Sequence, residues 1–186
     1  MIFGHSSRLR SLRHAIIPPT TLPALHRDGD APLHWRQPQW DQYAYRLESP
    51  RGLLALMQTV GFFKPTTTVH AAAGVYRLQP RWSGGFKLFL EGEPEPRIDY
   101  QPGWWFEGRL ERRGGEVLGW KRAGFTRRQI ETQDGFPLVT FADSREWFKS
   151  GSEITTHDAL WRRDDAMELL IVGFAILVLT QRRHSS

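Results

Sequence analysis

Aromatic and basic side chains stand next to each other at several places in this chain, and together they could bind an anionic ligand. The clearest cases are Arg81-Trp82, Trp104-Trp105-Phe106 and Trp120-Lys121-Arg122. An aromatic ring offers a face for stacking or for a lipid interface, while arginine and lysine neutralise phosphate groups. A β-strand with aromatic residues facing inward and basic residues facing outward would have the same sequence, so the pattern leaves both interpretations open.

Trp104 and Trp105 are the strongest candidates for a contact surface. Neighbouring residues of a regular strand point to opposite faces, so the two indoles cannot both face the core. At least one of them should be exposed or should cover the mouth of the fold. With the basic residues of the same region, the candidate surface comprises Trp104, Trp105, Arg109, Arg112, Arg113, Lys121 and Arg122.

Patterns typical of catalysis or metal binding do not occur. The seven histidines contain no pair at metal-ligand spacing, and the absence of cysteine excludes disulfides and the usual zinc fingers. His157-Asp158 has no accompanying nucleophile in a shaped turn, and Gly-rich pieces such as Ser83-Gly84-Gly85 lack the lysine of a phosphate-binding loop. We therefore expect no catalytic residue, no cofactor and no metal site.

Composition and charge indicate one basic domain. The chain has 186 residues, a formal net charge of +5 and a sequence pI near 10.0. A surface of this sign favours anionic partners. The short apolar patch at 15–17 ends at Pro18-Pro19 and cannot form the core of a secretory signal peptide, so we expect a cytoplasmic protein that is peripheral to a membrane.

A repeated phrase indicates β-hairpins. Leu47-Glu48 leads to Gly52, Leu110-Glu111 to Gly115 and Ile130-Glu131 to Gly135. In each case the glycine stands four positions after the glutamate, and apolar residues follow it. Alternating residues, a glycine that can adopt positive φ and a second apolar run are typical of hairpins. The predicted strands are 43–48, 53–60, 74–79, 85–91, 104–111, 116–122, 127–132 and 137–141.

A hydrophobic helix is predicted near the end of the chain, at 166–181. Asp165 and Glu168 have the spacing of a capping box, and Arg182 and Arg183 suit a helix C-terminus. The uninterrupted apolar run, 169–179, covers about 16 Å at 1.5 Å per residue, whereas a bilayer core is about 30 Å thick. Because the run is apolar on every side, it must be enclosed by protein or by lipid.

This order of hairpins followed by an apolar helix resembles the tubby C-terminal-like superfamily, which includes LURP-one-related proteins and phospholipid scramblases. The residues that carry the resemblance are the three hairpin phrases and the run 167–179, within about 41–183. The resemblance implies a mainly β fold, a closed antiparallel barrel of about 12 strands around a buried C-terminal helix. The acidic calcium-binding segment of scramblases has no counterpart here, because Arg162 and Arg163 interrupt it.

The sequence thus predicts a basic, proline-rich N-terminal extension at 1–40 and a barrel domain at 41–186. We expect a non-catalytic binding or scaffold domain that contacts anionic phospholipid or a membrane surface, with a protein as a further potential partner. Two alternatives stay open. One is a tail-anchored membrane protein with a soluble β domain, and the other is a nucleic-acid-binding module, which the sequence favours less than lipid.

Overall fold

The strands of the protein form a closed barrel. The computed structural model describes residues 22–27, 29, 31–38, 44–60, 66–82, 84–105, 107–143 and 151–183. Within this part of the chain lie twelve strands and two helices. The strands are β1 (Leu33–Arg36), β2 (Ala44–Ser49), β3 (Gly52–Val60), β4 (Thr66–Ala71), β5 (Gly74–Pro80), β6 (Phe86–Leu90), β7 (Ile98–Pro102), β8 (Gly108–Arg112), β9 (Val117–Arg122), β10 (Arg127–Glu131), β11 (Pro137–Asp143) and β12 (Gly151–Thr156). A 3₁₀ helix (Leu160–Arg162) precedes α1 (Ala166–Arg183).

The barrel is an antiparallel meander in which each strand pairs with the next one along the chain. Its closure depends on β1 and β12, which pair antiparallel from Leu33 opposite Ile154 to Arg36 opposite Gly151. Closure removes the unpaired edges that an open sheet would expose. The predicted fold class, a closed antiparallel barrel with a hydrophobic C-terminal helix, is confirmed.

The repeated sequence phrase forms three of the hairpins. Its glycines Gly52, Gly115 and Gly135 all have positive φ, at 127°, 87° and 81°. Its apolar residues Leu47, Leu110 and Ile130 are fully buried in the lumen. The alternation of these side chains with outward-facing polar ones explains why the sheet has one dry face and one wet face.

The helix α1 fills the lumen. Every residue from Asp165 to Ile176 is buried, and since this stretch exceeds three turns, the barrel encloses the helix on all sides. Phe174 stacks on Trp35 with ring centroids 4.7 Å apart, and the Trp35 indole donates a hydrogen bond of 3.3 Å to the carbonyl of Leu170. A Cβ on Gly173 would lie 2.2 Å from Cζ of Phe141, so only glycine fits against that ring.

The structure differs from the sequence analysis at several places, since the eight strands predicted there leave out β1, β4, β7 and β12. Strand β1 lies inside the segment that we assigned to the extension at 1–40, although most of that segment is outside the described residues. Leu22 is buried and Leu25 packs against the core, so the chain before β1 already lies on the barrel. The helix ends at Arg183 instead of 181, and the strand expected at 104–111 begins only at Gly108.

Candidate functional site at one end of the barrel

The connections between strands fall into two groups, one at each end of the barrel. Because each strand runs antiparallel to the next, successive connections lie at alternate ends. The turns at 81–85, 103–107 and 123–126 therefore share one end, which we call the aromatic end. The turns at 91–97, 113–116 and 132–136 share the other end with residues 157–168, and we call it the ion-pair end. The helix runs from the ion-pair end to the aromatic end.

The aromatic end carries large aromatic side chains that the protein leaves in solvent. Their relative exposures are 108% for Trp82, 88% for Trp104, 85% for Trp105 and 89% for Phe125. Each of the three turns contributes at least one of them. Scattered single apolar residues are normal on a surface, but a group of large ones on neighbouring turns is uncommon.

Trp104 and Trp105 owe their exposure to a tight turn between β7 and β8. The amide of Glu107 donates to the carbonyl of Trp104 at 3.1 Å, and the amide of Gly103 donates to the carbonyl of Glu107 at 2.8 Å. Trp105 has φ of 57°, and it is the one non-glycine residue in the described part of the chain with positive φ. The expectation that at least one of the two indoles is exposed is confirmed, and both are exposed because both residues precede β8 instead of standing in the strand expected at 104–111.

A shallow depression lies beneath this turn on the outer face of β7, β8 and β9. Its volume is about 650 Å³, and Trp104, Trp105, Arg109 and Lys121 contribute to its lining. The Lys121 ammonium donates to Oε2 of Glu107 at 2.9 Å, and this hydrogen bond raises the pKa of Lys121 above its usual value. The structure therefore brings together four of the seven residues that the sequence singled out.

The neighbouring turns adjoin this depression. A Cβ on Gly85 would lie 2.1 Å from the carbonyl oxygen of Tyr100, so the turn that carries Trp82 packs directly on β7. On the other side, the Arg122 guanidinium lies 5.5 Å from the centre of the Phe125 ring and donates to the carbonyl of Gly124 at 2.9 Å. Arg122, a fifth candidate residue, thus belongs to the same end.

The last two candidates, Arg112 and Arg113, lie at the opposite end and are engaged by carboxylates. Arg112 pairs through Nε with Asp165, and Arg113 pairs through Nη1 with Glu93 at 2.9 Å. Arg112 is only 20% exposed. The charges of Arg112 and Arg113 are therefore balanced by carboxylates of the same molecule, and neither residue lies at the aromatic end.

The ion-pair end holds the start of the helix in place. Arg163 donates to Glu116 at 2.6 Å and to Asp165 at 2.9 Å. The hydrogen bond from Arg163, together with that from Arg112, lowers the pKa of Glu116 to about 2. The predicted capping box is replaced by this arrangement, since the described hydrogen bonds of the Asp165 carboxylate go to arginine side chains rather than to the first helical amides.

Glu168 is a buried carboxylate at the same end. Loss of solvation raises its pKa to about 7, although the Arg97 guanidinium at 3.9 Å and Arg112 favour the charged form. Burial, together with the charge of Glu168, raises the pKa of Tyr76 to about 12. Because this carboxyl group titrates near neutral pH, the interactions at the start of the helix change with pH in that range.

Sequence reasoning did not place Trp82, Phe125 or Glu107 in the candidate surface. A usable signal exists for the first two, because each stands beside glycine or serine at a turn between predicted strands, where an aromatic side chain cannot reach the core. Glu107 could not be recognised, since its role depends on the cross-strand position of Lys121.

Comparison of the chain with protein-family models, with curated proteins and with solved structures found no significant match. The resemblance to the tubby C-terminal-like superfamily therefore stays a prediction. In the described part of the chain, no helix is long and apolar enough to cross a bilayer. The same residues contain no group of three histidine, aspartate or glutamate side chains that could hold a metal ion.

Proposed function

We propose that this protein is a non-catalytic binding module that docks onto an anionic membrane surface with its aromatic end. The observation that carries the proposal is the exposure of Trp82, Trp104, Trp105 and Phe125 on neighbouring turns of one end, each at 85% or more. Keeping these rings in water is unfavourable, and transfer of one such side chain to an apolar environment is worth about 1.5–3 kcal/mol.

The residue types favour a lipid interface. Tryptophan combines a large apolar surface with one polar N–H group and is enriched where membrane meets water. Cations accompany the rings, including Arg109, Arg122 and Arg127 around the turns at 103–107 and 123–126. Basic residues near an anionic leaflet contribute about 1 kcal/mol each, so the two features reinforce each other.

The experiment is binding to vesicles of mixed phosphatidylcholine and phosphatidylserine at low salt, measured by co-sedimentation. A double variant, Trp104→Ser with Trp105→Ser, should bind at least about tenfold more weakly than the wild type, because two interfacial side chains are lost. The matched control is Phe136→Ser, which removes a 65% exposed aromatic side chain from the ion-pair end. This control should bind within about twofold of the wild type.

Two outcomes contradict the proposal. One is a wild-type protein that does not sediment with anionic vesicles, and the other is equal binding by the double variant and the control. Exposed indoles could also stack on the bases of single-stranded nucleic acid. Full displacement of the protein from vesicles by a short oligonucleotide would favour that alternative, whereas vesicle binding that resists the oligonucleotide supports the lipid assignment.

A further inference from the structure

The residues that line the depression beneath the Trp104–Trp105 turn include two cations and one carboxylate. Lys121 is matched by Glu107 at 2.9 Å, and both side chains are 43% exposed. Arg109, which is 56% exposed, has its described acidic neighbour Glu111 at 3.7 Å, beyond hydrogen-bond distance. Both cations are thus within reach of solvent, with Glu111 beside Arg109 and the charge of Glu131 acting on Lys121 in addition to Glu107.

The depression leaves room for an anion beside these cations, since its volume is about 650 Å³. The position opposite Arg109 on β9 is Gly119, and the Glu131 side chain lies over it, with its Cγ 3.3 Å from where a Cβ would stand. Gln101 lies opposite Arg109 on β7, and its side-chain amide adds a hydrogen-bonding group to the lining.

We infer that the depression binds the phosphate group of a phospholipid, and that Glu107 is an internal competitor that occupies Lys121 until the phosphate displaces it. The inference rests on the proposed function, because the indoles of the overlying turn would bring the lipid surface to this level. A phosphate oxygen accepts charge-assisted hydrogen bonds from both Arg109 and Lys121. The displaced Glu107 carboxylate returns to water, where its solvation replaces the bond to Lys121.

If Glu107 competes with the phosphate for Lys121, removing the charge of Glu107 should strengthen binding. We expect Glu107→Gln to bind phosphatidylserine-containing vesicles about fivefold more tightly than the wild type, and Arg109→Gln about fivefold more weakly. Arg113→Gln is the matched control. It removes the same charge as Arg109→Gln from the ion-pair end and should change binding less than about twofold.

Each variant is compared with the wild type by thermal unfolding, so that altered binding is not confused with altered folding. Glu107→Ala is a second variant that also frees Lys121, and it should show the same gain. The Glu107–Lys121 pair lies on the surface, where such pairs contribute little to stability, so both variants are expected to fold.

The source of the phosphate is tested by titrating inorganic phosphate and glycerophosphoserine without vesicles. Weak binding of both compounds, with a gain for Glu107→Gln on vesicles, supports a membrane phospholipid. Tight binding of inorganic phosphate that Glu107→Gln strengthens overturns the lipid assignment in favour of a soluble phosphate.

The inference is overturned if Glu107→Gln and Glu107→Ala bind vesicles no more tightly than the wild type. It is also overturned if Arg113→Gln weakens binding as much as Arg109→Gln, because net charge alone would then explain the attraction. In both cases the proposed function survives as long as the double variant of Trp104 and Trp105 loses binding. A wild type that ignores vesicles overturns both.

Discussion

The two ends of the barrel use arginine in opposite ways. At the ion-pair end, Arg112 and Arg163 are mostly buried and are held by carboxylates that also fix the start of the helix. At the aromatic end, Arg109 and Arg122 are exposed next to aromatic rings that nothing covers among the described residues. The comparison teaches that the position of acidic partners, and not the number of cations, decides at which end the cations stay accessible to solvent.

The largest effect expected on stability comes from the ion-pair end. Asp165→Asn should lower the free energy of unfolding by about 3–5 kcal/mol, because it leaves buried arginine charge without its partner. The control is Asp164→Asn, one position earlier, whose side chain is 94% exposed. It should change stability by no more than about 0.5 kcal/mol in urea unfolding. Equal effects of the two substitutions would mean that this end does not hold the helix.

The next effect depends on pH and also concerns the ion-pair end. The folded pKa of Glu168, about 7, lies above its ordinary value of 4.5, so the folded state binds this proton more tightly. The stability that this proton provides is complete below pH 4.5 and is lost as the pH rises through 7. Above pH 7, Glu168→Gln should therefore be more stable than the wild type, by at most about 3 kcal/mol, and the difference should shrink toward pH 4.5.

Urea unfolding at several pH values measures this difference. Glu95→Gln, on the exposed rim of the same end, should leave the pH profile of the wild type unchanged. Glu116 acts in the other direction, since its pKa of about 2 means that its contribution is present above pH 4.5 and is lost as the pH falls through 2. A constant difference between Glu168→Gln and the wild type from pH 4.5 to 8 would show that Glu168 does not titrate in this window.

The smallest effect is expected at the aromatic end, and it has the opposite sign. Trp105→Gly should raise the free energy of unfolding by about 1 kcal/mol, because glycine adopts the φ of 57° without the strain of a side chain. The same variant should bind vesicles more weakly. Trp104→Gly should weaken binding without the gain in stability, as thermal unfolding can show. A loss of stability in Trp105→Gly would mean that the turn is held by the indole itself.

Local patterns predicted the scaffold well. The glycines at 52, 115 and 135 could be recognised as hairpin turns because the requirement for positive φ is local. The helix could be recognised because its apolar run is bounded by charged residues on both sides. Strands β1, β4, β7 and β12 are absent from the predicted set. In the case of β1, Leu33–Arg36 is short and lies among prolines, and its pairing with β12 is decided by residues more than a hundred positions away.

The candidate site could be predicted only in part. Trp104-Trp105-Phe106 has high strand propensity, and the tight turn that exposes both indoles overrides it. Arg109, Arg112 and Arg113 look equivalent in the sequence, yet they lie toward different ends of one strand and meet different carboxylates. That distinction depends on which distant acids the folded chain brings close, and no local pattern contains it.

The helix that fills the barrel follows all twelve strands in the chain, and this order constrains folding during synthesis. The ribosome delivers β1 to β12 before the side chains of α1 that occupy the lumen. Pairing of β1 with β12 also joins distant residues, which makes closure intrinsically slow. The nascent strands therefore expose their apolar inner face until α1 emerges, and we expect chaperones to recognise that intermediate.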